Sequence, residues 1–176
     1  FDFGRDEARL VRVVIGGEPP ASAGGTCGIV ACAEPESGLL YVLGDHSIAG
    51  ASPMGWAVKV AGAAEAWGAD RVVAEANNGG DMVEATLRSA DAALPVKKVN
   101  ASRGKAARAE PIAALFERGK AKFAGTFPEL EDELAGLASG GGYCGPGRSP
   151  DRGDAMVWAL TELMKPQRGG PRIRAL

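Results

Sequence analysis

The run Leu-Val-Arg-Val-Val-Ile at residues 10–15 breaks off at once into Gly16, Gly17, Glu18, Pro19 and Pro20. β-Branched side chains crowd a helical backbone and suit a pleated one, so this run predicts a buried strand with a hard stop. After a small-residue turn at 21–25, residues 27–33 form a second apolar strand, and a turn at 35–38 leads to a third at 39–43. Three short strands joined by tight turns make an antiparallel meander. Asp45 and His46 lie just past its end.

Beyond the meander the pattern changes. Ser52-Pro53 starts a helix, because serine caps free amides and proline at the first helical position has none to leave unpaired; Gly68 stops it after Trp67. Residues 71–74 are a fourth strand ending at Glu75, Gly79-Gly80 open a helix through about Ala90, and residues 95–99 are a fifth strand. A basic segment at 103–108 merges into a helix over 106–118. Pro128 starts another helix, whose Glu129, Glu131, Asp132 and Glu133 suit the positive end of a helix dipole. Residues 139–149 are rich in glycine and read as a mobile loop, the last helix runs from Pro150 or Asp151 through Leu163, and residues 166–176 read as a flexible tail. We expect one α/β domain over 1–165, with no internal repeat.

Several chemistries lose their footing. Cys27, Cys32 and Cys144 form neither an even set nor a CxxC pair, so neither a disulfide framework nor a zinc site is expected. His46, the sole histidine, supports neither a Ser-His-Asp triad nor a zinc-histidine centre. No apolar run approaches the roughly 18 residues of a membrane span, and a soluble, intracellular protein is expected. The net charge of -2 means that nucleic acid would have to be met by a local basic surface. An opening at Phe1, without methionine, suggests a neighbouring segment upstream.

The α/β order brings the ends of the first and fourth strands side by side if those strands are sheet neighbours. Glu18 and Glu75 sit at those ends, and Asp151 and Asp154, one helical turn apart, can add carboxylates from the last helix. Acids gathered this way repel, and they stay ionised at neutral pH only with cations between them. Magnesium prefers oxygen ligands, and two ions about 3.5 to 4 Å apart can activate water and stabilise the leaving oxygen of a phosphodiester. The blander readings are a solvated loop end for Glu18, a helix cap for Asp151 and solvation for Asp45 in place of a fourth ligand.

The segments Val72-Val73-Ala74-Glu75-Ala76-Asn77-Asn78-Gly79-Gly80, Ala101-Ser102-Arg103-Gly104-Lys105-Ala106-Ala107-Arg108-Ala109-Glu110-Pro111, Phe127-Pro128-Glu129-Leu130-Glu131-Asp132 and Ser149-Pro150-Asp151-Arg152-Gly153-Asp154-Ala155-Met156-Val157-Trp158-Ala159-Leu160 resemble, in order, the nuclease domain of phage-type terminase large subunits and their gene-transfer-agent relatives. The resemblance implies an RNase H-like fold, a mixed sheet of five or slightly more strands with helices on both faces. It implies a metal-dependent endonuclease that cuts concatemeric double-stranded DNA, with Glu18, Glu75 and Asp154 as catalytic carboxylates and metal ligands, Asp151 assisting, and Mg2+ or Mn2+, two ions in all, as cofactor. Implied partners are an N-terminal ATPase motor, a portal ring and a small terminase subunit, in the cytoplasm of a bacterial host. No GxxxxGK[ST] phosphate loop occurs here, so the motor would lie on another segment. The family usually has aspartate where this chain has Glu18.

Lys97, Lys98, Arg103, Lys105 and Arg108 cluster on and after the fifth strand, and Arg148 and Arg152 flank the last acids. We expect these cations to hold DNA phosphates without reading sequence. Two other readings stand beside the leading one: a Holliday-junction resolvase or transposase-like nuclease of the same fold, and a DNA-clamping module catalytically weakened at Glu18.

Overall fold

The opening run forms β1 (Arg9–Glu18), but this strand does not stop at Ile15: Gly16, Gly17 and Glu18 continue it. The structure is a computed structural model that describes residues 9–77, 79–137, 142–166 and 174–175. In it β1 pairs antiparallel with β2 (Thr26–Pro35), and β2 with β3 (Leu40–Asp45), which is the predicted meander. A two-residue β4 (Ile48–Ala49) returns to β2. Helix α1 (Pro53–Trp67) starts and ends as read: the Ser52 hydroxyl accepts the amide of Gly55, and Gly68 closes the helix in the left-handed region at φ 56°.

β5 (Arg71–Glu75) runs parallel to β1, and after α2 (Gly80–Ala90) β6 (Val96–Val99) runs parallel to β5. There follow α3 (Lys105–Glu117), β7 (Ala121–Phe123), α4 (Pro128–Leu137), α5 (Asp151–Leu163) and β8 (Arg174–Ala175). The sheet order is β6-β5-β1-β2-β3-β7, with β4 on β2 and β8 on β1. β7 was not expected; three residues are too few to show an alternating pattern, and only pairing with β3 makes them a strand. Residues 139–141 of the expected mobile loop, Asn78, and 167–173 and 176 of the expected flexible tail lie outside the described residues, while Arg174 and Ala175 pair with the start of β1.

Strand alternation divides the core in two. Val13, Ile15, Ile29, Leu43 and Val72 pack towards α1 and α2, against Trp56, Val60 and Leu87. Val14, Val30, Val42 and Val73 pack on the other face, against Ala155, Met156, Ala159 and Leu160 of α5. Helices thus cover both faces, as expected. α5 lies unusually close to the sheet, because a Cβ on Gly16 would stand 1.8 Å from the carbonyl oxygen of Ala155, and one on Gly28 1.9 Å from that of Asp151. The two glycines are therefore seats for a helix, and Gly16 is no strand stop. No helix among the described residues is long and apolar enough to cross a membrane.

Candidate active site

The parallel register of β1 and β5 sets Gly17 opposite Ala74, so Glu18 and Glu75 are the next positions on adjacent strands, about 4.8 Å apart across the ladder. Both follow the parity of Val14 and Val73 and so belong to the α5 face. The close approach of α5 over Gly16 and Gly28 lowers its first turn onto that corner of the sheet. Glu18, Glu75 and Asp154 are 8%, 7% and 2% exposed, although glutamate and aspartate are among the residues least often buried.

Each carboxylate has its own partners. Glu18 Oε2 accepts the indole N–H of Trp158 at 3.0 Å. Burial first, then the charges of Asp154 and Glu75, push its carboxyl up to about 8 against the opposing pull of Lys105. Glu75 Oε1 accepts the amide of Asn77 at 2.9 Å, and the Asn77 side chain is itself clasped to the backbone of Ala101. Asp154 receives the Lys105 ammonium on Oδ2 and Arg108 Nη2 on Oδ1 at 3.1 Å. Lys105 Nζ also lies 3.9 Å from Glu18 Oε1 and donates to Ser149 Oγ at 2.6 Å. Arg108 stacks 4.5 Å over the Trp158 ring and leaves Nε and Nη1 buried without a partner among the described residues. Asp151 is partly buried; burial raises its carboxyl, while the Ser149 hydroxyl and Lys105 oppose the shift.

Among the described residues, no three histidine, cysteine or carboxylate side chains stand gathered as a formed metal site. The position between Glu18 and Asp154 is taken by the ammonium of Lys105. The donor set nevertheless fits a hard divalent cation: it is all oxygen, it comes from three rigid elements, and Glu18 is driven towards protonation partly by negative charge that one lysine does not neutralise.

The expected basic surface is divided by the pleat. Lys97 shares the parity of Val73 and reaches Glu162 at 2.9 Å, eight residues beyond Asp154 and so about 12 Å further along α5. Lys98 points the other way and pairs with Asp81 at 2.7 Å and Glu84 at 3.2 Å on α2. Arg152 is held by Asp45 at 3.0 Å and Glu133 at 3.1 Å, which ties Asp45 into an ion pair in place of open solvent. Among the described residues, Lys105 and Arg108 are the cations that pair with Asp154. Arg103 and Arg148 are exposed, make no ion pair among the described residues, and flank the Lys105–Ser149 contact in sequence.

His46 accepts the indole N–H of Trp67 at 2.8 Å, and all three cysteines are free thiols. Sequence reasoning missed Trp158, Ser149, Asn77 and Glu133. Trp158 was legible as the residue one turn beyond Asp154 on the same helix face. Glu133 was legible as well, since it falls in the stripe of Leu130 and Leu137, where a solvated acid does not belong.

The family model of the terminase RNaseH-like domain matches residues 18–163. Among solved structures, the chain is similar to the large terminase nuclease from thermophilic phage G20c with bound magnesium, with a TM-score of 0.69 and 18% identity over 91% of this chain and 90% of that one. It is also similar to the P22 large terminase nuclease domain, with a TM-score of 0.59 and 13% identity over 93% and 90% of the two chains. The yeast mitochondrial Holliday junction resolvase Ydc2 gives a TM-score of 0.55 and 10% identity over 88% and 80%. A search of curated proteins found no match. Identities this low speak for a shared RNase H-like fold, whereas the family match begins at Glu18 and runs past Asp154, and on that ground the chain belongs to the terminase RNaseH-like domain family.

Proposed function

We propose that this chain is the DNA-cutting domain of a viral packaging terminase, an endonuclease that hydrolyses double-stranded concatemeric DNA with little sequence preference and requires Mg2+ or Mn2+, two ions in all. The observation that carries the reading is that β1, β5 and α5 bring three buried carboxylates, Glu18, Glu75 and Asp154, to one corner of the sheet, near enough for the charges of Asp154 and Glu75 to act on Glu18. The nuclease of phage G20c, similar in fold, has been solved with magnesium, with cobalt and with zinc bound, which supports a divalent cation here.

Glu18, Glu75 and Asp154 would hold the cations, with Asp151 assisting from the same helix turn. Bound there, divalent cations supply an activated water and neutralise charge on the leaving oxygen. Trp158 orients Glu18 through its indole N–H, and the amide of Asn77 orients Glu75. Lys105 and Arg108 pair with the Asp154 carboxylate until a metal competes for it. Exposed Arg103 and Arg148 face the substrate phosphates. Such a role requires a motor domain with a phosphate loop, a portal ring and a small DNA-recognition subunit as partners.

Supercoiled plasmid incubated with the protein and Mg2+ or Mn2+ should be nicked and then linearised, and chelator, Glu75→Ala or Asp154→Ala should each abolish detectable cutting. Uncut plasmid under every metal condition would overturn the proposal. The fold likeness to Ydc2 makes a four-way junction the informative competitor: preference for junction over linear duplex would favour a resolvase.

A further inference from the structure

The first turn of α5 carries Asp151 and Asp154, yet the residue before the helix is Pro150, which has no side-chain oxygen to accept the free amides there. A carboxylate from α4 takes that part. Glu133 Oε2 accepts the amide of Arg152 at 2.8 Å and that of Gly153 at 3.1 Å. Glu133 is 4% exposed, and its other oxygen receives Arg152 Nη1 at 3.1 Å. Arg152 Nε then reaches Asp45 Oδ2 at 3.0 Å, and the amide and hydroxyl of Ser47 hold Asp45 Oδ1 at 3.0 and 2.5 Å. A continuous line of charge-assisted hydrogen bonds thus joins the end of β3 to the amides that begin the helix of Asp154.

This line has a consequence for the carboxylate corner. From the sheet side the same turn rests on Gly28, where even a methyl group would collide with the Asp151 carbonyl. The turn is held between a backbone seat below and the Glu133 carboxylate beside it. Without Glu133, two amides at this partly buried turn lose their acceptor, and the turn must shift or unwind to find another. Asp154 moves with it. The geometry points to Glu133 as a positioning residue of the nuclease centre, acting through α5 to fix where Asp154 and Asp151 stand; this rests on the reading that those carboxylates hold the divalent cation.

The test compares Glu133→Ala, Glu133→Gln, Asp154→Asn and, as a packing control of the same core, Ile112→Val. Mn2+ binding is measured by electron paramagnetic resonance without DNA, amide exchange at Arg152 and Gly153 without metal, and kcat and KM on plasmid with metal. Glu133→Ala should unprotect both amides and lower Mn2+ affinity and kcat by about 10- to 100-fold while KM for DNA stays near wild type. Glu133→Gln keeps an oxygen for the amides but loses the charge facing Arg152, so it should fall between wild type and alanine; if the alanine variant does not fold, the glutamine variant decides. A Glu133→Ala protein that binds Mn2+ and turns over like wild type would overturn the proposal, as would equal losses in Ile112→Val at an equal drop in melting temperature. A wild-type protein that binds no Mn2+, or an Asp154→Asn protein that binds it undiminished, would instead remove the underlying carboxylate site, and this inference with it.

Discussion

Glu18 keeps its proton to about 8, whereas an unstructured glutamate releases it near 4.5. The folded state therefore binds this proton more tightly than the unfolded state does. The contribution to metal-free stability is complete below 4.5 and is lost as the pH rises towards 8. Thermal melts of the metal-free protein across that range should show a decline that Glu18→Gln removes. A divalent cation must displace the same proton, so Mn2+ affinity should rise with pH over this range, by at most about tenfold per unit for one proton released. An affinity flat from pH 6 to 8 would count against Glu18 as a ligand. Glu18 was legible as a candidate from its place before Pro19-Pro20, but its burial and its indole partner were not, because Trp158 is far along the chain and meets it only through the fold.

At the scale of the element, β1 and α5 decide where the acids sit. Gly16 and Gly17 look alike in the sequence, yet a Cβ at Gly16 would collide with the Ala155 carbonyl, while one at Gly17 would find its nearest neighbour at an ordinary 3.7 Å. Gly16→Ala should therefore cost more than about 2 kcal/mol, since backbone cannot retract as a flexible side chain can, and it should impair cutting by lifting Asp154. Gly17→Ala should stay within about 1 kcal/mol of wild type, because alanine also restricts the unfolded chain. Urea denaturation of both variants checks this, and equal destabilisation would refute the seat. The pair was read as a strand stop because a glycine that ends a strand and one that admits a helix are the same letter. Partners distant in sequence distinguish them.

At the scale of the molecule, a net charge of -2 leaves DNA binding to cations that the fold has not already committed. Lys97 is engaged by Glu162, and Lys98 by Asp81 and Glu84, at opposite faces of β6. Arg103 and Arg148 remain exposed, close in sequence to the contact of Lys105 with Ser149. Replacing both arginines by alanine should reduce the slope of log affinity against log salt by about 2, whereas Lys97→Ala with Lys98→Ala should leave it unchanged. Filter binding over a salt series separates the two, and the reverse pattern would move the DNA to the other end of the sheet.

The sequence by itself determined the meander, the bounds of α1, the α/β order of the elements that follow, and the candidate acids near strand and helix ends. Those features follow from local steric preference and from hydrophobic period, which neighbouring residues settle among themselves. Only the tertiary structure decided that β1 runs on to Glu18, that residues 121–123 are a strand, that the basic run splits, and that Glu133 and Asp45 meet Arg152 at the start of α5. Each of these depends on a partner far along the chain, and which partner arrives is fixed by the packing of α5 on the sheet, a contact that no local preference encodes.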